Sequence, residues 1–197
     1  MMRPGGKPSH RLIGAVGVIA GLAVVLAGCS KEEDTGEVQL AQITAPPEQG
    51  SSAQQQASEE AISAAGRYYG TFDRLQSDPA KPLDQITTVA SGDAATLLVL
   101  EINEFRGKGW LQTGSTHIAS SKVTSIDLDA QPRKVSLDVC VDASGTDARD
   151  TTGQSAISPK RPDFVLQQLV LTNETPRDPN GWRVIDSTKE GKPCDAK

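Results

Sequence analysis

Few side chains in this sequence could do chemistry, and they are scattered. Tyr68 and Tyr69 are adjacent and offer two hydroxyls, and His117 is one of two histidines, the other being His10. Asp138 and Asp142 stand near each other in a Val-rich stretch. Proton abstraction beside a carbonyl would need a carboxylate base and hydrogen-bond donors facing one apolar cavity. Asp138 and Asp142 alternate with Val139 and Val141, so both are expected to face water. No acid lies in a clear apolar run that would make it a buried base. One of Tyr68 and Tyr69 is expected to pack in the core with its hydroxyl satisfied. His117 reads as an ordinary strand residue. Nucleophilic catalysis lacks a Gly-x-Ser-x-Gly elbow, and phosphate chemistry lacks a Gly-x-x-x-x-Gly-Lys loop. Asp138, Asp142, Asp147 and Asp150 supply oxygen but not the spacing of a calcium loop with its closing Glu. They read as a solvated acidic surface, so no metal or cofactor is expected.

The N-terminus carries the most specific pattern. Met1–Arg11 is basic and free of acids, Leu12–Leu26 is an unbroken apolar run, and Leu26-Ala27-Gly28-Cys29 follows. A short positive region, an apolar core and small residues at a cut site describe a secretory signal. The apolar run is shorter than the roughly 20 residues of a spanning helix. The Leu-Ala-Gly-Cys ending resembles a bacterial lipobox. That resemblance implies cleavage after residue 28 and lipidation of Cys29. The chain would then be held on the outer face of a cell membrane without spanning it.

Charge narrows the partners. The 197-residue chain has a net charge of -5, and removing Arg3, Lys7 and Arg11 leaves 17 basic against 25 acidic groups, or -8. A nucleic-acid partner would need a basic face, so none is expected. The stretch 29–57 follows as a tether. It is rich in Gln, Ser, Pro and charge, and all seven aromatic residues lie at Tyr68 or beyond. Such composition buries too little apolar surface to offset ordering entropy, so a flexible linker is expected. Two cysteines remain, Cys140 and Cys194. Outside the membrane they are expected to form a disulfide, with Cys140 on the polar face of its strand and the C-terminal tail pinned across the sheet. They lack the Cys-x-x-Cys spacing of a redox pair.

The folded part is expected to be one domain over 58–197. Ala61, Ala65, Tyr68, Phe72 and Leu75 recur at helical spacing, with Ser58, Glu59 and Glu60 as cap and first-turn charge. Asp78-Pro79 ends that helix. Pro82–Ala90 reads as a second, short helix. Ser91-Gly92-Asp93 breaks the chain, and Ala94–Arg106 reads as a third helix burying Leu97, Leu98, Ile102 and Phe105. Beyond Trp110 the period becomes two. Val135, Leu137, Val139 and Val141 mark the cleanest strand. Thr116–Leu128 precedes it, and its apolar parity changes after Val123, which predicts a bulge. Phe164–Thr172 and Trp182–Ser187 complete about four antiparallel strands. Helices followed by strands give an α+β domain with helices packed on one face of a sheet. The segment 143–162 between strands is long and polar, and a partner contact is sought there first.

This order, with Val139-Cys140-Val141-Asp142-Ala143-Ser144 and the late Gly181-Trp182-Arg183-Val184 strand near Cys194, resembles secreted actinobacterial lipoproteins with an NTF2-like (SnoaL-like) cone. The resemblance implies a curved sheet closed by helices, with Tyr69, Phe72, Leu98 and Trp110 lining the mouth of the cone. It also implies frequent dimerisation through the sheet, and many relatives without enzymatic activity. The expected function is that of a lipid-anchored, non-enzymatic accessory or interaction protein of the cell envelope. Its partners would be the membrane through Cys29 and either an envelope protein or a second copy. A module carrying a small apolar ligand in the cone is the alternative, and an isomerase- or cyclase-like enzyme is third.

Overall fold

A computed structural model describes residues 49–194. The expected signal peptide over 1–28, Cys29 and most of the expected linker lie outside the described residues. The elements run α1 (Gln49–Ser77), a short 3-10 helix (Leu83–Thr88), α2 (Gly92–Gly107), β1 (Leu111–Thr113), β2 (His117–Asp127), β3 (Arg133–Asp142), β4 (Asp147–Arg149), β5 (Phe164–Asn173) and β6 (Trp182–Pro193). Four strands form an antiparallel sheet in the order β2-β3-β5-β6, and β1 pairs with β4 as a separate two-stranded piece. The molecule is α+β, with helices on one face of the sheet. Among the described residues no helix is long and apolar enough to cross a membrane.

Helix α1 begins at Gln49, so residues 49–57 of the expected linker, 29–57, are helical, and the expected helix start at Ser58 is corrected. Ser58 is mid-helix, and its hydroxyl donates to the Gln54 carbonyl at 2.7 Å. The reason is local. Gln and Ala are good helix formers, and Gln55–Glu59 and Gln56–Glu60 side-chain hydrogen bonds bridge successive turns. Packing adds to it, since Ala57 is already buried. Ala61, Ala64 and Ala65 bring the helix close to the sheet, and Tyr68, Tyr69 and Leu75 are buried beside them. The far end is closed from α2. The Arg106 guanidinium donates to the carbonyls of Leu75 at 2.9 Å and Lys81 at 3.0 Å, placing a cation where the helix leaves carbonyls unpaired.

Helix α2 buries Ala94, Leu98 and Ile102 on one face. Leu97, expected inside, is 53% exposed, and Phe105 is half-buried. The face in contact with the sheet is narrower than the apolar stripe, so Leu97 and Leu100 are left on its flank. Ser91 makes no capping bond with its side chain. Its backbone amide donates to Val184 of β6 at 2.9 Å, tying the helix entry to the sheet edge.

In the sheet, Val135, Leu137, Val139 and Val141 of β3 stand on the helix side beside Leu171, Leu169, Gln167 and Val165 of β5. Trp182 and Val184 extend this face onto β6. Trp182 is 1% exposed, and its Nε1 donates to Glu60 Oε2 of α1 at 2.9 Å. Strand β2 shifts register between Ile118 and Ser120 and again between Val123 and Ser125, the second at the parity change of the sequence. On the opposite face, Cys140 is bonded to Cys194, with the two Cα atoms 5.8 Å apart.

Candidate functional site

A cavity of about 850 Å³ lies between α1, α2, the inner sheet face and the segment after β3. Its size falls within the range of small-molecule pockets. Tyr69, Phe72, Leu98 and Trp110, named from the sequence, all line it. They come from three places. Tyr69 and Phe72 share a face of α1, Leu98 comes from the buried face of α2, and Trp110 follows the glycine-containing end of α2. Gly109 has a φ of 69°, which lets the chain turn out of the helix and present Trp110. Trp110 is held edge-on to Phe105, ring centroids 5.7 Å apart, with Lys108 Nζ 4.6 Å above its ring.

Both tyrosines are buried, not one, and both line the cavity. Their rings meet edge-to-face at 5.3 Å. Tyr69 Oη donates to Gln167 Oε1 of β5 at 3.0 Å. Burial raises the pKa of both phenols, and for Tyr69 the neighbouring Tyr68 adds to the rise. Both hydroxyls are therefore neutral hydrogen-bonding groups at physiological pH.

The segment 143–162 is not a free loop. It contains β4, which pairs with β1, and Ala143, Thr146, Ala148, Ile157 and Arg161 form a wall of the cavity. Arg161 braces it by donating to Thr146 Oγ1 at 2.9 Å, Ala143 O at 2.7 Å and Thr146 O at 3.0 Å. Asp150 organises the tip, accepting from the backbone amides of Thr152 and Gln154 and from the Thr152 hydroxyl. These bonds hold its carboxyl below the usual range. Gly114 sits where β1 crosses this segment, and any Cβ there would overlap the Gly145 carbonyl.

One buried acid escaped the sequence reading. Asp73 is 8% exposed and accepts hydrogen bonds from Gln112 Nε2 at 2.6 Å, the Thr116 amide at 2.7 Å and the Thr116 hydroxyl at 2.8 Å. These three donors fix α1 against β1 and the start of β2. They also occupy the carboxylate, and Asp73 does not line the cavity. The helical line Tyr69, Asp73, Gln76 was available in the sequence and would have found it.

The other candidates stand apart. His117 and Asp142 are register partners across β2 and β3, and neither they nor Asp138 line the cavity. Asp142 is held below its usual range by hydrogen bonds from Ser144, with a smaller contribution from His117. The four aspartates do not gather. Among the described residues no three His, Cys, Asp or Glu side chains come together to hold a metal ion. The lining carboxylates include Glu101, Glu104 and Asp147, which are paired with Lys189 at 3.0 Å, Lys108 at 2.6 Å and Arg149 at 2.7 Å.

No family model matches this chain, and no curated protein does. Among solved structures it is similar to the intermembrane space region of the chloroplast protein ARC6. The identity is 10% and the TM-score 0.45, over 64% of this chain and 91% of that one.

Proposed function

We propose that this chain is an extracytoplasmic binding module, tethered to a membrane by lipid on Cys29, that carries a small and largely apolar molecule. The observation that carries the reading is the cavity of about 850 Å³ walled by Tyr69, Phe72, Leu98 and Trp110. A core filled by its own side chains would leave no such space. We place the ligand carrier, the alternative expected from sequence, ahead of the accessory protein. The tether rests on the Leu26-Ala27-Gly28-Cys29 string, and the Cys140–Cys194 bond suits an oxidising compartment. A module held at a bilayer would meet apolar molecules where they are concentrated. Kinship with the NTF2-like cone remains part of this proposal and rests on the helix-then-sheet order. Binding is favoured over turnover because Glu101, Glu104 and Asp147 at the cavity are each engaged by a cation and Asp186 is exposed to solvent rather than held in an apolar surround, which opposes use of these carboxylates as a general base.

One observation favours a second reading, a protein–protein role. Leu97 and Leu100 are 53% and 59% exposed at the edge of the cavity, an apolar flank that a partner or second copy would cover. Native mass spectrometry of the full chain, extracted gently from its host membrane, separates the two. One non-covalent small-molecule mass per chain is the expected result. A bare chain that binds no apolar fluorescent probe, and crosslinks to another protein through Leu97 or Leu100, would move the assignment to the second reading.

A further inference from the structure

Resting on that binding reading, we infer that the ligand is uncharged: an apolar body ending in a neutral donor–acceptor group such as an amide or hydroxyl. The inference comes from three glutamines. Gln76, Gln112 and Gln167 are only 6%, 8% and 9% exposed, and all three line the cavity. They arrive from α1, β1 and β5, so three separate elements place amides on one space. Burying an amide is costly unless it is hydrogen-bonded.

Their hydrogen-bonding capacity is only partly used. Gln167 takes the Tyr69 hydroxyl on Oε1, and its Nε2 donates to no described residue. Gln112 donates to Asp73 through Nε2, and its Oε1 accepts from none. The Gln76 side chain has no hydrogen-bond partner among the described residues. Yet none of these atoms is sealed away from solvent. Among the described residues, the one sealed and unpartnered side-chain atom is Arg67 Nη2. The free amide atoms therefore stay accessible in residues that are nine-tenths buried, and the surface they share is the cavity. Together they present donors and acceptors without charge.

The charges around the cavity point the same way. Four carboxylates line it, Glu101, Glu104, Asp147 and Asp186, against two cations, Arg161 and Lys189. Both cations are engaged, Arg161 by Ala143 and Thr146 and Lys189 by Glu101. An anionic head group would lose its water and face an excess of acid, with Lys189 paired to Glu101 and three Arg161 hydrogen bonds already made to Ala143 and Thr146 in the wall. A cationic head group would find the inner amides uncharged and Glu101, Glu104 and Asp147 already paired, while Asp186, which no described cation pairs, is exposed to solvent, where its attraction is screened. A neutral group meets neither obstacle.

The test uses three probes with one apolar body: decanamide, 1-decanol and decanoate. The full chain is reconstituted in phosphatidylcholine nanodiscs at pH 8, where decanoate is ionised. Binding is read from tryptophan fluorescence, with partition into empty nanodiscs subtracted. The amide and the alcohol are expected to bind at least ~10-fold more tightly than decanoate, since a desolvated, unpaired charge is the costlier burial. Gln76→Leu is expected to weaken decanamide about fivefold, the worth of one neutral hydrogen bond. The head-group series on the unaltered chain needs no variant, so the inference stays testable if Gln76→Leu fails to fold. Decanoate binding as tightly as decanol would overturn the uncharged ligand and leave the pocket reading intact. A folded Gln76→Leu chain with unchanged decanamide binding would overturn the role given to the glutamines. Failure of all three probes to bind would count against the pocket reading itself.

Discussion

At the scale of single residues, the pair Tyr69–Gln167 carries the most information. A phenol 5% exposed meets an amide 9% exposed at 3.0 Å, linking α1 to the middle of the sheet at the wall of a cavity. Burial disfavours the phenolate, so the folded pKa of Tyr69 lies above the ordinary 10.0. A group whose folded pKa is raised keeps its full stabilising effect below the unfolded pKa. That effect is lost as pH rises past it, because the unfolded chain releases its proton first. Stability is therefore expected to be insensitive to Tyr69 up to about pH 9 and to fall from about pH 10 upward. Urea denaturation at pH 9, 10 and 11 checks this. Tyr69→Phe is expected to flatten the decline, whatever it costs at neutral pH. An equally steep decline in the variant would mean that the phenol titrates as it does in the unfolded chain. Gln167 was not legible in the sequence because β5 is apolar in both parities, with Val165, Leu169 and Leu171 on one face and Phe164, Leu166 and Val170 on the other. Only pairing with β3, where Gln167 stands opposite Val139, decides which face is inside.

At the scale of elements, α1 separates what periodicity can see from what it cannot. The stripe from Ala61 to Leu75 was legible because large side chains mark it. The turns before Ser58 carry Gln, Ser and Ala, whose composition reads equally as linker or as helix. A cap residue was read where the apolar stripe begins, but the helix starts before the stripe. The two readings give opposite signs for Ser58→Ala. An N-cap serine would lose about 1 kcal/mol on substitution. A mid-helix serine whose hydroxyl back-bonds to Gln54 O is expected to gain roughly 0.5 kcal/mol, alanine being the better helix former. Chemical denaturation of the two full chains decides, and destabilisation by Ser58→Ala would place the helix start back at 58. The bulge in β2 was legible because a parity change is a two-residue signal. Strands β1 and β4, three residues each, were not, since so short a stretch has no period to show. Missing them made the segment 143–162 look like a free loop, when it is pinned to β1 and walls the cavity.

At the scale of the whole molecule, the two sheet faces carry separate tasks. The inner face supplies the core and the cavity, and the outer face carries the Cys140–Cys194 bond, which ties the end of the described chain to β3 across β5. That end is weakly paired otherwise. Gln167 faces Lys189 and Val165 faces Pro193, so β6 makes an irregular excursion between them, with Gly191 at a φ of 65°. Lys189, at the start of that excursion, lines the cavity and holds Glu101. The crosslink spans a sequence separation of 54. In the chain-entropy model a closed loop of this length is worth roughly 4 kcal/mol, because it removes conformations from the unfolded chain. Most domains are stable by only about 5–15 kcal/mol, so the bond is a large share of the margin. The double substitution Cys140→Ser and Cys194→Ser is expected to lower the unfolding free energy by about 4 kcal/mol in urea titration. Hydrogen exchange should also rise first at residues 189–193, ahead of the centre of β3 and β5, whose hydrogen bonds are enclosed by the core. A loss near zero would mean that the strand pairing alone holds the tail. Faster exchange spread evenly over the sheet would mean that the bond stabilises the native sheet directly, and the entropic account would give way.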